Sequence, residues 1–182
     1  DVARATPALA ELAGGIGDPH IRNRGTLGGS IANADPAADY PAALVGLSAT
    51  VKTDRREIAA DDFFTDLFET ALAEDELVTG VDFPIAEAAA YVKFTNQASR
   101  FALVGVFIAR RGDTIRVAVT GAGPNVFRVE EMERALAGNF NAKALAGISV
   151  AADGLNTDLH AGAEYRAHLI NVLARRAVTE MG

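Results

Sequence analysis

Residues 25–39, Gly-Thr-Leu-Gly-Gly-Ser-Ile-Ala-Asn-Ala-Asp-Pro-Ala-Ala-Asp, bring together groups that can grip a diphosphate and an adjoining polyol. Gly28 and Gly29 carry no Cβ, so the chain can turn there with positive φ and set amide N–H groups against an anion. Thr26 and Ser30 flank them and add hydroxyl donors. Asp35 and Pro36 read as an N-cap and a first helical residue, which would aim the positive end of a helix at the same place. Arg22 and Arg24 supply positive charge upstream, and Asp39, an acceptor only, suits sugar or ribityl hydroxyls and not phosphate. The spacing is neither G-x-G-x-x-G nor G-x-x-x-x-G-K-[ST], and no lysine lies between Gly25 and Asp39, so neither a dinucleotide fingerprint nor a P-loop is present. A glycine-rich turn followed by a capped helix, with Asp39 merely favouring the helix dipole, accounts for the same residues. For Asp35, capping is the expected role even with a ligand alongside.

The elements that must hold this stretch follow from local signals. Thr6-Pro7 and Gly14-Gly15 bracket a helix over 7–14, with proline at its first position and glycine at its stop. Residues 16–24 read as irregular, and 36–47 as a second, mostly buried helix. Residues 49–53 and 57–59 read as a hairpin around Asp54-Arg55-Arg56, 61–64 as a helical turn with Phe63 and Phe64 in the core, and 76–83 as a strand closed by Pro84. An alanine-rich run over 85–90 resets the pattern and divides the chain into 1–86 and 87–182. Strands are then expected over 90–95, 102–110 and 114–120, the last two turning at Arg111-Gly112-Asp113, followed by a loop over 121–125. Helices over 130–137, 142–152 and 163–181 complete the chain; Ile170, Leu173, Ala174, Ala177, Val178 and Met181 form an apolar stripe on the last. Strands first and helices after indicate an α+β fold with segregated layers.

Composition excludes several chemistries. A net charge of −7 with no basic run argues against a nucleic-acid surface. The longest strongly apolar run, 101–109, is too short to span a bilayer and is bracketed by Arg100 and Arg110. Without cysteine the chain can form no disulfide and hold no cysteine-ligated iron–sulfur cluster. His20, His160 and His168 are too scattered for a metal site, with His20 read as a loop residue and His168 as a helix-surface residue. No Ser-His-Asp set or H-E-x-x-H occurs, so no catalytic residue is assigned.

Ile-Arg-Asn-Arg-Gly-Thr-Leu-Gly-Gly-Ser over 21–30, followed by Ala-Asp-Pro-Ala-Ala-Asp-Tyr-Pro-Ala-Ala-Leu over 34–44, resembles the flavoproteins of the molybdenum hydroxylases. The type is the medium, FAD-binding subunit of the carbon monoxide dehydrogenase and xanthine dehydrogenase group. Later segments fit in order: 91–94 with 101–106, then Val-Thr-Gly-Ala-Gly over 119–123, then 163–169 with 172–176. The resemblance implies the second half of a two-subdomain (PCMH-like) FAD-binding region over 1–86. Over 87–182 it implies a C-terminal domain with a three-stranded antiparallel sheet packed on three helices. An earlier glycine-rich FAD motif of the family has no counterpart here, so the chain, opening at Asp1, is expected to lack roughly the first third of the subunit and to hold one wall of the flavin site.

The resemblance also implies function and partners. Substrate is oxidised at a molybdopterin cofactor in a large subunit, and electrons pass through [2Fe–2S] clusters of a small subunit to FAD here, then to an external acceptor. The isoalloxazine would carry the redox chemistry while the protein positions it. The assembly expected is a cytoplasmic dimer of heterotrimers, with no membrane span and no nucleic acid. Carried over residue by residue, the pyrophosphate loop is Thr26, Leu27, Gly28, Gly29 and Ser30, with Asn33 and Asp39 contacting the cofactor's hydroxyl-bearing parts. Ile16 matches an apolar wall position, Val78 a position at the isoalloxazine and Lys93 a lysine near the ring; core packing and a solvated strand lysine are their ordinary alternatives. A redox-silent module holding another diphosphate, or an assembly subunit without flavin, are the competing readings.

Overall fold

The computed structural model describes residues 2–182. Its first part is a run of short helices: α1 (Val2–Ala5), α2 (Pro7–Gly14), α3 (Pro19–Arg24), α4 (Leu27–Asn33) and α5 (Tyr40–Gly46). Strands β1 (Thr50–Thr53) and β2 (Glu57–Ala59) form the expected hairpin, α6 (Ala60–Phe63) the expected turn, and Phe63 and Phe64 are buried. A small hairpin follows, β3 (Phe64–Asp66) with β4 (Glu69–Thr70), which sequence patterning did not signal. Strand β5 (Val78–Asp82) then pairs with β1, giving an antiparallel sheet in the order β2-β1-β5.

The second part is an antiparallel meander of β6 (Ala88–Thr95), β7 (Ala102–Arg111), β8 (Thr114–Thr120) and β9 (Phe127–Arg128), followed by α7 (Glu130–Gly138) and α8 (Ala163–Met181). The apolar run over 101–109 has its explanation in β7, which is buried on both faces. Val104, Val106 and Ile108 face a core shared with the α8 stripe, while Phe107 and Ala109 pack against Leu9, Leu12 and Ala43 of α2 and α5. A strand covered on both sides reads as continuous apolar sequence instead of alternating. The helices of the first part therefore lie on the back of the second part's sheet.

Five local expectations are corrected. The sheet has a fourth, two-residue strand, β9, whose shortness hides it from pattern. Residues 19–24 are helical because Asp18 caps them, its Oδ1 accepting from the N–H of His20 and Ile21; His20 is thus an exposed helix residue. The helix expected over 36–47 begins only at Tyr40. Its first turn is diverted because the Pro36 carbonyl accepts from the Gly121 N–H at 2.7 Å, and the Thr120 hydroxyl lies 3.0 Å from the Pro36 and 2.7 Å from the Ala38 carbonyl. Asp35 caps no helix; its Oδ1 accepts from the Ala37 N–H in a tight turn. The helix expected over 142–152 shrinks to a 3-10 turn at Ala142–Leu145, with the Asn171 amide donating to the Leu145 and Ile148 carbonyls. The C-terminal layer is thus α7, α8 and that turn, in place of three full helices.

Candidate cofactor site

The glycine stretch is itself a helix, not a left-handed loop. Thr26 is the N-cap of α4, its Oγ1 accepting from the Gly29 N–H at 3.0 Å, and neither Gly28 nor Gly29 has positive φ. The expected positive-φ turn is corrected on this point. Glycine is required at 29 for another reason: a Cβ there would stand 2.9 Å from the capping hydroxyl of Thr26. At 28 a Cβ would meet only Val78 at an ordinary 3.8 Å, so nothing in this chain demands glycine at that position. The fully buried Ile31 pins α4 to the core, with Leu27 one turn earlier packed beside it, and Ala34 ends the helix in the left-handed region at φ 48°. The same spacing, four residues, sets Thr26 and Ser30 together on the other face. Helix geometry leaves the first N–H groups, Leu27 and Gly28, without intrahelical acceptors.

Beside that face lies a cleft of about 230 Å³ lined by Ile16, Ile21, Arg22, Thr26, Ser30 and Asp39, among others. Arg22 braces its rim by donating to the Ile16 carbonyl at 2.8 Å. Asp39 forms its polar floor, 2% exposed, at the start of α5 but with no capping bond. Its Oδ1 accepts from the Tyr91 hydroxyl at 2.6 Å and from Lys93 Nζ at 2.9 Å, while Oδ2 is buried and has no partner among the described residues. Burial pushes the Asp39 carboxyl above its ordinary value, opposed by the Tyr91 hydrogen bond and by Lys93. Burial, reinforced by Asp39, likewise pushes the Tyr91 hydroxyl well up. Lys93 Nζ also donates to the carbonyls of Gly15 at 2.8 Å and Arg100 at 3.2 Å, so all three of its N–H directions are engaged.

The structure thus gathers Ile16, Thr26, Ser30 and Asp39 around one cleft and joins Lys93 to it through Asp39. Gly28 and Val78 meet on a neighbouring side of α4, Leu27 packs on the core, and Asn33 is exposed at the helix's C-terminal end. Sequence reasoning gave Tyr91 no role. Its position two residues before Lys93 on one strand places both on one face, but the partner 52 residues away is invisible without the fold. Among the described residues no cluster of three or more His, Cys, Asp or Glu could hold a metal, and no helix is long and apolar enough to cross a membrane.

The residues fit a flavin nucleotide. The unpartnered Oδ2 of Asp39 calls for a hydroxyl donor, the hydroxyls of Thr26 and Ser30 and the free N–H groups of α4 suit phosphate, and Ile16 and Ile21 suit an apolar ring. The cleft is smaller than the usual 300–1,000 Å³ of small-molecule pockets, so it takes part of such a ligand.

Comparison with known proteins agrees. The family described as "FAD binding domain in molybdopterin dehydrogenase" matches residues 1–86, and "CO dehydrogenase flavoprotein C-terminal domain" matches 79–181. The nicotine 6-hydroxylase medium subunit of Paenarthrobacter nicotinovorans is 35% identical over 100% of this chain and 69% of its own length. The carbon monoxide dehydrogenase medium chain of Hydrogenophaga pseudoflava is 32% identical over 94% of this chain and 66% of its own. Among solved structures, the reconstituted CO dehydrogenase from Oligotropha carboxidovorans superposes with a TM-score of 0.86 at 27% identity, covering 99% of this chain and 68% of that one.

Proposed function

This chain belongs to the FAD-binding medium subunits of the molybdenum hydroxylases, and on that premise we propose that it is the electron-output module of such an enzyme. FAD, when bound, would supply the redox chemistry between the [2Fe–2S] clusters of a partner subunit and an external acceptor. The chain's own residues bind and orient. Thr26, Ser30 and the first N–H groups of α4 hold the diphosphate, with Gly28 allowing close approach and Leu27 and Gly29 fixing the helix that presents it. Asp39 accepts from a cofactor hydroxyl through Oδ2, while Ile16 and Val78 provide apolar wall. Asn33 and Lys93 complete the assignment, Lys93 acting through the carboxylate it pairs with.

The observation that carries this reading is the buried carboxylate oxygen of Asp39 beside the Thr26–Ser30 face, without a donor among the described residues. On the same reading 1–86 is the cofactor subdomain and 87–182 the C-terminal domain, a division supported by the two matched families. The partners are an iron–sulfur small subunit and a molybdopterin large subunit, assembled as a cytoplasmic dimer of heterotrimers. A visible flavin spectrum in the purified complex, with one FAD per copy of this subunit, is the expected result. A colourless complex holding another nucleotide, or none, overturns it.

A further inference from the structure

Resting on the flavin reading, we propose that Tyr91 is a positioning residue for the cofactor, acting only through Asp39 by holding Oδ1 so that Oδ2 faces the cleft.

The geometry is built from both parts of the chain. On β6, Tyr91 pairs in register with Phe107, and its ring lies 6.2 Å from that of Phe107. The hydroxyl passes over Gly105 of β7, where a Cβ would lie 2.3 Å from Oη, so the missing side chain is the notch through which Tyr91 reaches Asp39. Lys93 lies two residues along, opposite that same glycine, and donates to the same oxygen. Two donors on one oxygen and none on the other is an asymmetric arrangement. A carboxylate held by Lys93 alone can rotate about its Cβ–Cγ bond and share that donor between its oxygens, taking Oδ2 away from the cleft. The second donor removes this freedom. Tyr91 does not itself line the cleft, whereas Asp39 does, so its influence on the cofactor passes through the carboxylate.

The charged and titratable groups around Asp39 are Tyr91 and Lys93 from β6, Tyr40 beside it on α5, and Arg22 across the cleft from α3. The Tyr91 bond favours the ionised carboxyl and burial opposes it, so losing the bond moves the Asp39 pKa further up. Cofactor binding that needs ionised Asp39 then fails at a higher pH than in the wild type.

The test is FAD affinity against pH, by fluorescence titration of the purified complex after its flavin has been removed. Tyr91→Phe is expected to weaken FAD about tenfold at neutral pH, the worth of one hydrogen bond to a charged group. It also shifts the acid limb of binding to higher pH. In an Asp39→Ala background the same change is expected to alter affinity less than about twofold, because the group Tyr91 acts through is gone. A merely structural tyrosine would lower the thermal midpoint without moving the acid limb. Unchanged affinity in Tyr91→Phe, or equal weakening with and without Asp39, overturns the positioning role while wild-type binding leaves the flavin reading intact. A wild-type complex that takes up no FAD overturns the flavin reading, and the role of Tyr91 with it.

Discussion

Asp39, at the start of α5, and Glu133, on α7, are both buried carboxylates paired with a cation from a strand, yet they end differently. Glu133 on α7 is complete: Oε1 accepts from the Val117 N–H and from Arg128 Nε, each at 2.9 Å, and Oε2 from Arg128 Nη2 at 2.5 Å. Glu76 is complete as well, with Thr53 and Arg56 on one oxygen, Ala73 and Arg56 on the other. Asp39 stacks both donors on Oδ1 and leaves Oδ2 without a partner among the described residues. A buried acceptor left unpaired costs about 1–3 kcal/mol, and the two glutamates show that this fold can satisfy its carboxylates. On the proposed reading, incompleteness, not burial, separates the carboxylate assigned to the cofactor from the structural ones.

That contrast can be broken most directly at its two poles. Glu133→Ala is expected to lower stability by about 2–3 kcal/mol, since it strands the Val117 N–H and the half-exposed Arg128, and to leave FAD affinity within about twofold. Asp39→Ala is expected to weaken FAD by about 1.5–3 kcal/mol, with a smaller loss of stability. Urea titration and flavin affinity on both variants decide it: equal stability losses with affinity unmoved in both would erase the distinction.

The helix beside the cleft carries a finer version. Gly28→Ala introduces a Cβ that meets only Val78, so the cofactor-free protein should gain up to about 1 kcal/mol of helix propensity while FAD binds more weakly. Gly29→Ala displaces the Thr26 cap and should lose about 0.5–2 kcal/mol, less whatever propensity returns. A Gly28→Ala subunit with wild-type FAD affinity would show that no ligand approaches that face.

Acid sharpens the comparison with the smallest effect. The Arg56 guanidinium and the Ala73 N–H hold Glu76 down to about 2, against an ordinary 4.5, so its stabilisation is full above pH 4.5 and fades as pH falls through about 2. Asp39 runs the other way. Its raised carboxyl favours the fold while protonated, and that contribution is lost as pH rises through its folded-state value. In cofactor-free protein the thermal midpoint of Glu76→Gln should trail the wild type at neutral pH and converge on it in acid. Asp39→Asn should gain on the wild type as pH rises. Parallel curves for the two variants would contradict the opposite placement of the two groups.

Much of this was legible beforehand, and the failures share a cause. The 7–14 helix, the β1–β2 hairpin, the turn at Gly112 and the long α8 rest on caps, turn residues and periodicity, all local signals, and each stands where expected. The first turn of the 36–47 helix had local signals too, but Thr120 and Gly121 took the carbonyls it needed. The 142–152 helix failed likewise to Asn171. Thr26, Ser30 and Asp39, which line the cleft, stand out in the sequence by spacing and chemistry, whereas the conformation of the glycines does not, because a helix N-terminus and a left-handed turn use the same residues. Tyr91 was silent because its meaning lies wholly in a partner distant in sequence.

The tether from Thr120 to the carbonyls before Asp39 has a consequence for the order of assembly. It closes a span of 82 residues, whereas the meander around it is built from adjacent hairpins. Long closures lose more chain entropy before any contact rewards them, so the sheet is expected to form early and the Asp39 segment to dock on it late. Thr120→Val should therefore quicken unfolding and leave the refolding rate nearly unchanged in a chevron measurement, whereas an early tether would slow refolding instead. A cleft completed last in folding is also the part that opens first, and the cofactor that occupies it would act as the latch on the finished molecule.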